Sequence, residues 1–149
     1  MGKLNQKITI INQAFETLRD SISLYDEVEK KRDAFGQRIV LAARDSMIQR
    51  FEYCVDLFWK VVKLYLEEVE KMDIPMASPR GIIRQAVKSK LLSEEEGQRL
   101  IIIINQRNQT SHMYYQEIAE QIAGNIPEEY KNLGDILTRL EGRLNNKTP

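Results

Sequence analysis

The sequence predicts an all-α fold: an antiparallel, up-and-down bundle of four or five helices. Three observations lead there. Apolar residues recur at spacings of three and four along most of the chain, no stretch alternates with a period of two, and short punctuated loops separate the periodic segments. At 149 residues the chain has room for one core, so a single domain over residues 1 to 149 is expected.

The first stripe is Ile8, Ile11, Phe15, Leu18, Ile22 and Tyr25, which places a helix over about residues 4 to 31. The charged DEVEKKRD segment is its solvated end or a turn, and Gly36 is the expected breaker. A second stripe of Met47, Phe51, Cys54, Val55, Phe58, Val62, Tyr65 and Val69 defines a long helix that starts between residues 37 and 45 and ends near Met72. Trp59, beside Phe58, reads as packing. DIPMASP is the clearest loop, and its Ser78 and Pro79 are an N-cap and first helical position for a short helix reaching Leu91 or Leu92. Arg80, Arg84 and Lys88 share one face of it, a basic stripe that is either solvated surface or a phosphate contact. SEEE is a capping box opening a fourth helix, which is expected to carry the polar stretch NQRNQTSHMYY from Asn105 to Tyr115. After GNIP, with Pro127 near its first turn, a last amphipathic helix runs through Tyr130, Leu133, Ile136, Leu137, Leu140 and Leu144.

Composition excludes several classes. Lys plus Arg number 22 and Asp plus Glu number 22, so no global charge draws the chain to nucleic acid or anionic lipid. Cys54 is alone and cannot form an intrachain disulfide, the N-terminal stretch is not signal-like, and apolar runs fall far short of the roughly 20 residues of a membrane span. A cytoplasmic protein without a membrane segment is expected. The chain has no P-loop, no His–Cys zinc cluster, no Glu-x-x-His and no Asp-x-Asp after a Gly-Ser turn. It is therefore not itself a nucleotidyltransferase, and neither a metal nor a cofactor is expected.

The informative region is the polar stretch. Continued at helical spacing, the apolar stripe of Leu100 and Ile104 meets Arg107, Ser111 and Tyr114 or Tyr115 before it resumes at Ile118 and Ile122. An unpaired guanidinium on a buried stripe costs several kcal/mol, so the place must be wet, paired or at an interface. On a straight helix Arg107 aligns with Tyr114, while Asn108, His112 and Tyr115 share another direction, and Arg107 and His112 lie about 140° apart. The two would flank a cleft rather than touch. A homodimer with this helix near its two-fold axis would supply the missing half.

Arg107-Asn108-x3-His112-x-Tyr114 resembles the Arg-x4-6-His signature of the HEPN superfamily, some toxin members of which carry a tyrosine two residues past the histidine. Three ordered stretches, RDSMIQRFEYCVDLFWKVVKLYLE, ASPRGIIRQA and RNQTSHMY, resemble one branch of it over about residues 44 to 140: the nucleotidyltransferase substrate-binding proteins. Two departures stand out. The connection over residues 26 to 43 is longer than in the family, and Gln106 occupies the place where an acidic residue commonly precedes the arginine.

The resemblance implies a HEPN-like bundle that partners a separate minimal nucleotidyltransferase, in one of two roles. In the first it is a metal-independent endoribonuclease toxin. Arg107, Asn108 and His112 would be catalytic, Tyr114 the site of adenylylation, and the transferase the antitoxin. In the second it is a non-catalytic subunit in which Arg80, Arg84, Lys88, Ser111 and Tyr115 hold phosphate or nucleotide. Apart from the resemblance, the residues leave a blander role open, a helical adaptor whose polar patch is only a wet dimer interface.

Overall fold

A computed structural model describes residues 2–75 and 78–147, so Met76 and Ala77 of the expected loop lie outside the described residues. Among the described residues every regular element is helical. The order is α1 (Gly2–Lys30), α2 (Arg32–Phe35), α3 (Gln37–Glu68), α4 (Pro79–Lys88), α5 (Glu94–Gln109), a 3₁₀ turn (Thr110–His112) and α6 (Gln116–Lys147).

The first two stripes pack as their spacing requires. Ile11, Phe15 and Leu18 of α1 are buried against Met47, Phe51, Cys54, Val55, Phe58, Val62 and Tyr65 of α3, while Ile8, Ile22, Tyr25 and Trp59 cover the core's margin. Gly36 separates α2 from α3 with φ of +86°, a left-handed conformation that favours glycine. The long connection noted in the sequence is therefore mostly helix. The chain turns sharply at Gly36, and α3 starts at once.

Local signals fix α4 and α5. The Ser78 hydroxyl accepts from the Gly81 N–H at 3.1 Å with Pro79 in the first turn, and Ser93 and Glu96 form a reciprocal capping box at 3.1 and 2.9 Å. Glu96 does more than cap. Arg139 of α6 donates to both its oxygens at 2.6 and 3.0 Å and to the Leu91 carbonyl at 2.9 Å, tying α6 to the α4–α5 turn and holding the Glu96 carboxyl below its usual pKa. Gly97 admits α4 closely, since a Cβ there would meet the Val87 side chain at 2.5 Å.

Four boundaries differ from the sequence expectation: α3 ends at Glu68 rather than near Met72, α4 ends at Lys88 rather than at Leu91 or Leu92, and the other two differ more. The fourth helix does not carry residues 105–115 but stops at Gln109, and the last helix begins at Gln116, with Pro127 inside it. Pro127 forfeits one helical hydrogen bond. Ile122, Ala123 and Ile126 before it and Leu133, Ile136 and Leu137 after it are all buried, and that continuous stripe carries the helix through. An edge contact between Phe15 and Tyr130, 5.7 Å between ring centres, holds this part of α6 against α1.

Candidate functional site

The polar stretch is a corner, built by Thr110. Its side chain is buried, its hydroxyl accepts from Arg107 Nη1 at 3.3 Å, and its one proton is shared between the Glu52 carboxylate and, at 2.7 Å, the Arg107 carbonyl. A buried threonine bonded back to its own helix and across to α3 ends α5 there. Ser111 continues the turn by donating to the Asn108 carbonyl at 3.1 Å, and the Tyr115 N–H bonds the His112 carbonyl at 3.0 Å just before α6 begins.

Arg107 is directed inward, onto α3. Its Nε and Nη2 reach the two oxygens of Asp56 at 2.8 and 3.0 Å, a bidentate pair, and Nη1 lies 3.5 Å from Glu52. Asp56 hydrogen bonding, helped by the charge of Glu52, outweighs desolvation and pushes the guanidinium pKa up. Glu52 and Asp56, one helical turn apart on α3, fill the role left open by Gln106. Their spacing was readable in the sequence; their pairing with a residue some fifty positions later was not.

The structure revises the helical-wheel reading. The polar residues turned to the interior beside Arg107 are Gln106 and Thr110, whereas Ser111 and His112 are exposed, because the helix on which the wheel was drawn ends at Gln109. The about 140° offset does not apply across a corner. Among the described residues no hydrogen bond or ring contact joins Arg107 to His112. His112 instead meets Tyr114 edge-on at 6.1 Å between ring centres, and Tyr114 lies 4.5 Å from Tyr115. Tyr114 is 66% exposed and Tyr115 57%, so the corner carries an aromatic cluster open to solvent. Asn108 is exposed beside it.

The basic stripe lies on the exposed face of α4. Arg80 donates to Asn105 Oδ1 of α5, and Arg84 borders an apolar groove floored by Ile83, Val87 and Ile101. Lys88 closes the helix, exposed in its last turn. Two buried charged groups escaped the sequence reading altogether. Arg44, its side chain 2% exposed, bridges Asp45 at 3.0 Å and Glu120 of α6 at 2.8 Å, and Glu129 of α6 is buried with neither carboxylate oxygen bonded. Among the described residues, no three His, Cys, Asp or Glu side chains gather to hold a metal ion, and no helix is long and apolar enough to cross a membrane.

Residues 6–143 match a family described as nucleotidyltransferase substrate binding protein like. The chain belongs to that family. A solved protein of Thermus thermophilus is 31% identical, with 87% of this chain and 98% of that one covered and a TM-score of 0.71. HI0074 of Haemophilus influenzae, whose structure is described as revealing the fold of a substrate binding domain of a nucleotidyltransferase, is 21% identical over 90% of this chain and 98% of its own, with a TM-score of 0.74. That second likeness is one of fold. Comparison with curated proteins returns no match. The all-α bundle and the substrate-binding-protein resemblance read from the sequence both stand.

Proposed function

We propose that the protein is the helical partner of a separate minimal nucleotidyltransferase in a toxin–antitoxin pair, acting as a metal-independent endoribonuclease that the transferase silences on Tyr114. Membership of the family supports the transferase partner. One observation carries the finer reading: Tyr114 stands 66% exposed on a tight corner, with its ring against His112. An exposed phenol on a fixed corner is an accessible acceptor. Its oxygen bonds to the α-phosphorus of a nucleoside triphosphate, pyrophosphate leaves, and the phenolic proton passes to a base of the transferase. A nucleotidyl group there would cover the neighbouring imidazole.

In the free protein His112 takes the proton of an RNA 2′-hydroxyl or returns one to the leaving oxygen, and Arg107 meets the charge that gathers on the phosphate. Asn108 orients one or the other. Arg107 and His112 lie on different elements without a bond between them, so the complete site is assigned to a two-fold homodimer in which one copy's arginine serves the other's histidine. His112→Ala should cut RNA cleavage by about 10² to 10⁴-fold. Incubation with the transferase and ATP should add mass to wild type but not to Tyr114→Phe. An unchanged cleavage rate in His112→Ala removes the nuclease.

A second reading, a non-catalytic nucleotide-binding subunit, is favoured by the bidentate hold of Asp56 on Arg107, which occupies donors that a scissile phosphate would need. Arg80, Arg84, Lys88, Ser111 and Tyr115 would then hold nucleotide for the transferase. The purified protein would bind nucleotide and leave RNA intact.

A further inference from the structure

The face of α5 next to that of Arg107, on the Gln106 side, carries a different feature. Between α5 and α6 lies an open groove of about 240 Å³ lined by Ile102 and Ile103 and by the polar side chains of Arg99, Gln106, Asn125, Glu128, Glu129 and Asn132. Gln106 and Asn125 are hydrogen bonded to each other at 3.3 Å, which fixes the amide of Asn125 on this wall. Glu129 is only 7% exposed, and neither of its oxygens finds a partner. Buried polar groups are almost always hydrogen bonded, so a buried carboxyl without a partner calls for an explanation. Apolar side chains such as Ile122, Ile126 and Leu133 occupy the same stripe of α6, so packing alone does not ask for an acid there.

We propose that this seam is a binding site for a free nucleotide, with the base inside against Glu129 and the carboxamides of Asn125 and Asn132, and the phosphate outward at Arg99. The chemistry follows from the donor set. A neutral carboxyl group offers an O–H and a carbonyl side by side, as a carboxamide does, and the two together match the adjacent donor and acceptor on the hydrogen-bonding edge of a nucleobase. Burial keeps Glu129 in that form, since desolvation, with the charge of Glu128 added, pushes its carboxyl up to about 8. With Glu129 neutral, the charge of Glu128 on the same wall is balanced by that of Arg99. The terminal torsion of a glutamate is soft, so the carboxyl can turn toward a base that brings the missing partners. The groove admits a base but not a whole nucleotide. Arg99 and Asn132 also line an adjoining groove of about 160 Å³ together with Glu96 and Asp135, so the phosphate is placed at Arg99 itself and no farther along the seam.

The site is independent of RNA cleavage, so His112→Ala should bind nucleotide as wild type does. Calorimetric titration of the full chain with ATP, GTP, CTP and UTP in turn, without added metal, should show binding of at least one. Glu129→Leu should lose it by tenfold or more, and Arg99→Ala should weaken it several-fold. Glu129→Gln keeps the donor and acceptor and should bind within a few-fold of wild type. Wild-type binding should weaken as pH rises through about 8, where Glu129 ionises between Arg99 of α5 and Glu128 of α6, while that of Glu129→Gln stays level. Should Glu129→Leu misfold, Asn132→Leu tests the same wall and should also lose binding. The proposal is overturned if none of the four nucleotides binds at millimolar concentration, or if Glu129→Leu or Asn132→Leu binds as tightly as wild type.

Discussion

Gln106 and Arg107 are neighbours on α5, yet they face two seams that handle charge in opposite ways. In the α3–α5 seam the guanidinium of Arg107 meets Asp56, Glu52 and Thr110, so its buried donors are largely answered. In the α5–α6 seam Gln106 lies against Asn125, and the acid of the region, Glu129, has no answer at all. The third side of the triangle, α3 to α6, is closed by Arg44, a charge fully used in structure. The two seams therefore differ in what they leave free for function. A clamped arginine of which a quarter remains exposed can hold a corner and still meet an anion, while an unanswered buried acid leaves the bundle less stable than it could be.

The largest effect should come from Glu129. Its folded-state pKa of about 8 lies above the unfolded 4.5, so between those values the folded chain holds a proton that the unfolded chain has released. Stability should therefore fall as pH rises through that window and level off beyond it, by at most about 4 to 5 kcal/mol. Glu129→Gln should abolish this slope, which urea denaturation of both proteins at pH 5, 7 and 9 would measure. Parallel pH profiles would mean that the acid has a partner after all, and the contrast between the seams would disappear. Glu96 acts in the opposite sense, because the hold of Arg139 depresses its carboxyl, and its contribution is lost only as pH falls below the ordinary glutamate range.

Next in size is Arg44. Its partners Asp45 and Glu120 are about half exposed and can return to water, so Arg44→Ala loses chiefly the α3–α6 bridge and the packing of a long buried side chain. About 3 kcal/mol is expected, or a Tm lower by about 6 to 12 °C, with the proposed RNA cleavage and the proposed nucleotide binding unaffected at low temperature. Smaller again is the clamp itself. A double-mutant cycle of Arg107→Ala and Asp56→Asn should give a coupling of about 1 to 2 kcal/mol, since the pair is bidentate but not sealed from water. If Arg107 served only as a strut like Arg44, the proposed RNA cleavage would survive its removal at temperatures where the protein stays folded.

Most of the bundle was legible because α1 and α3 carry their stripes without interruption, and Ser78, Pro79 and the Ser93–Glu96 box announce helix starts by local chemistry. The corner was not. No glycine or proline lies between Asn105 and Tyr115, and Thr110 ends α5 through a contact with Glu52 on another helix, which no local pattern encodes. GNIP failed in the other direction, as Pro127 looks like a helix start but is carried by tertiary burial on both sides. Arg107, Asn108, His112 and Tyr114 could be singled out by motif. Glu52, Asp56 and Glu129 could not, since each is an ordinary acid on an amphipathic helix until the fold gives it a neighbour or withholds one.

The smallest effect is also the most direct comparison of the two seams. Cys54 lies on α3 between Glu52 and Asp56 in sequence, fully buried, and desolvation pushes its thiol up to about 12. At pH 8 only about one molecule in 10⁴ would carry a thiolate even if reagent could enter, so native labelling must wait for the helix to open. Arg107→Ala removes the bond between α3 and α5 and should speed labelling several-fold under native conditions. Glu129→Gln, which alters only the Gln106 side of α5, should leave the rate the same or slow it. Equal acceleration by both would mean that the seams open as one cooperative unit, and the clamp on Arg107 would then have no separate part in holding α3 closed.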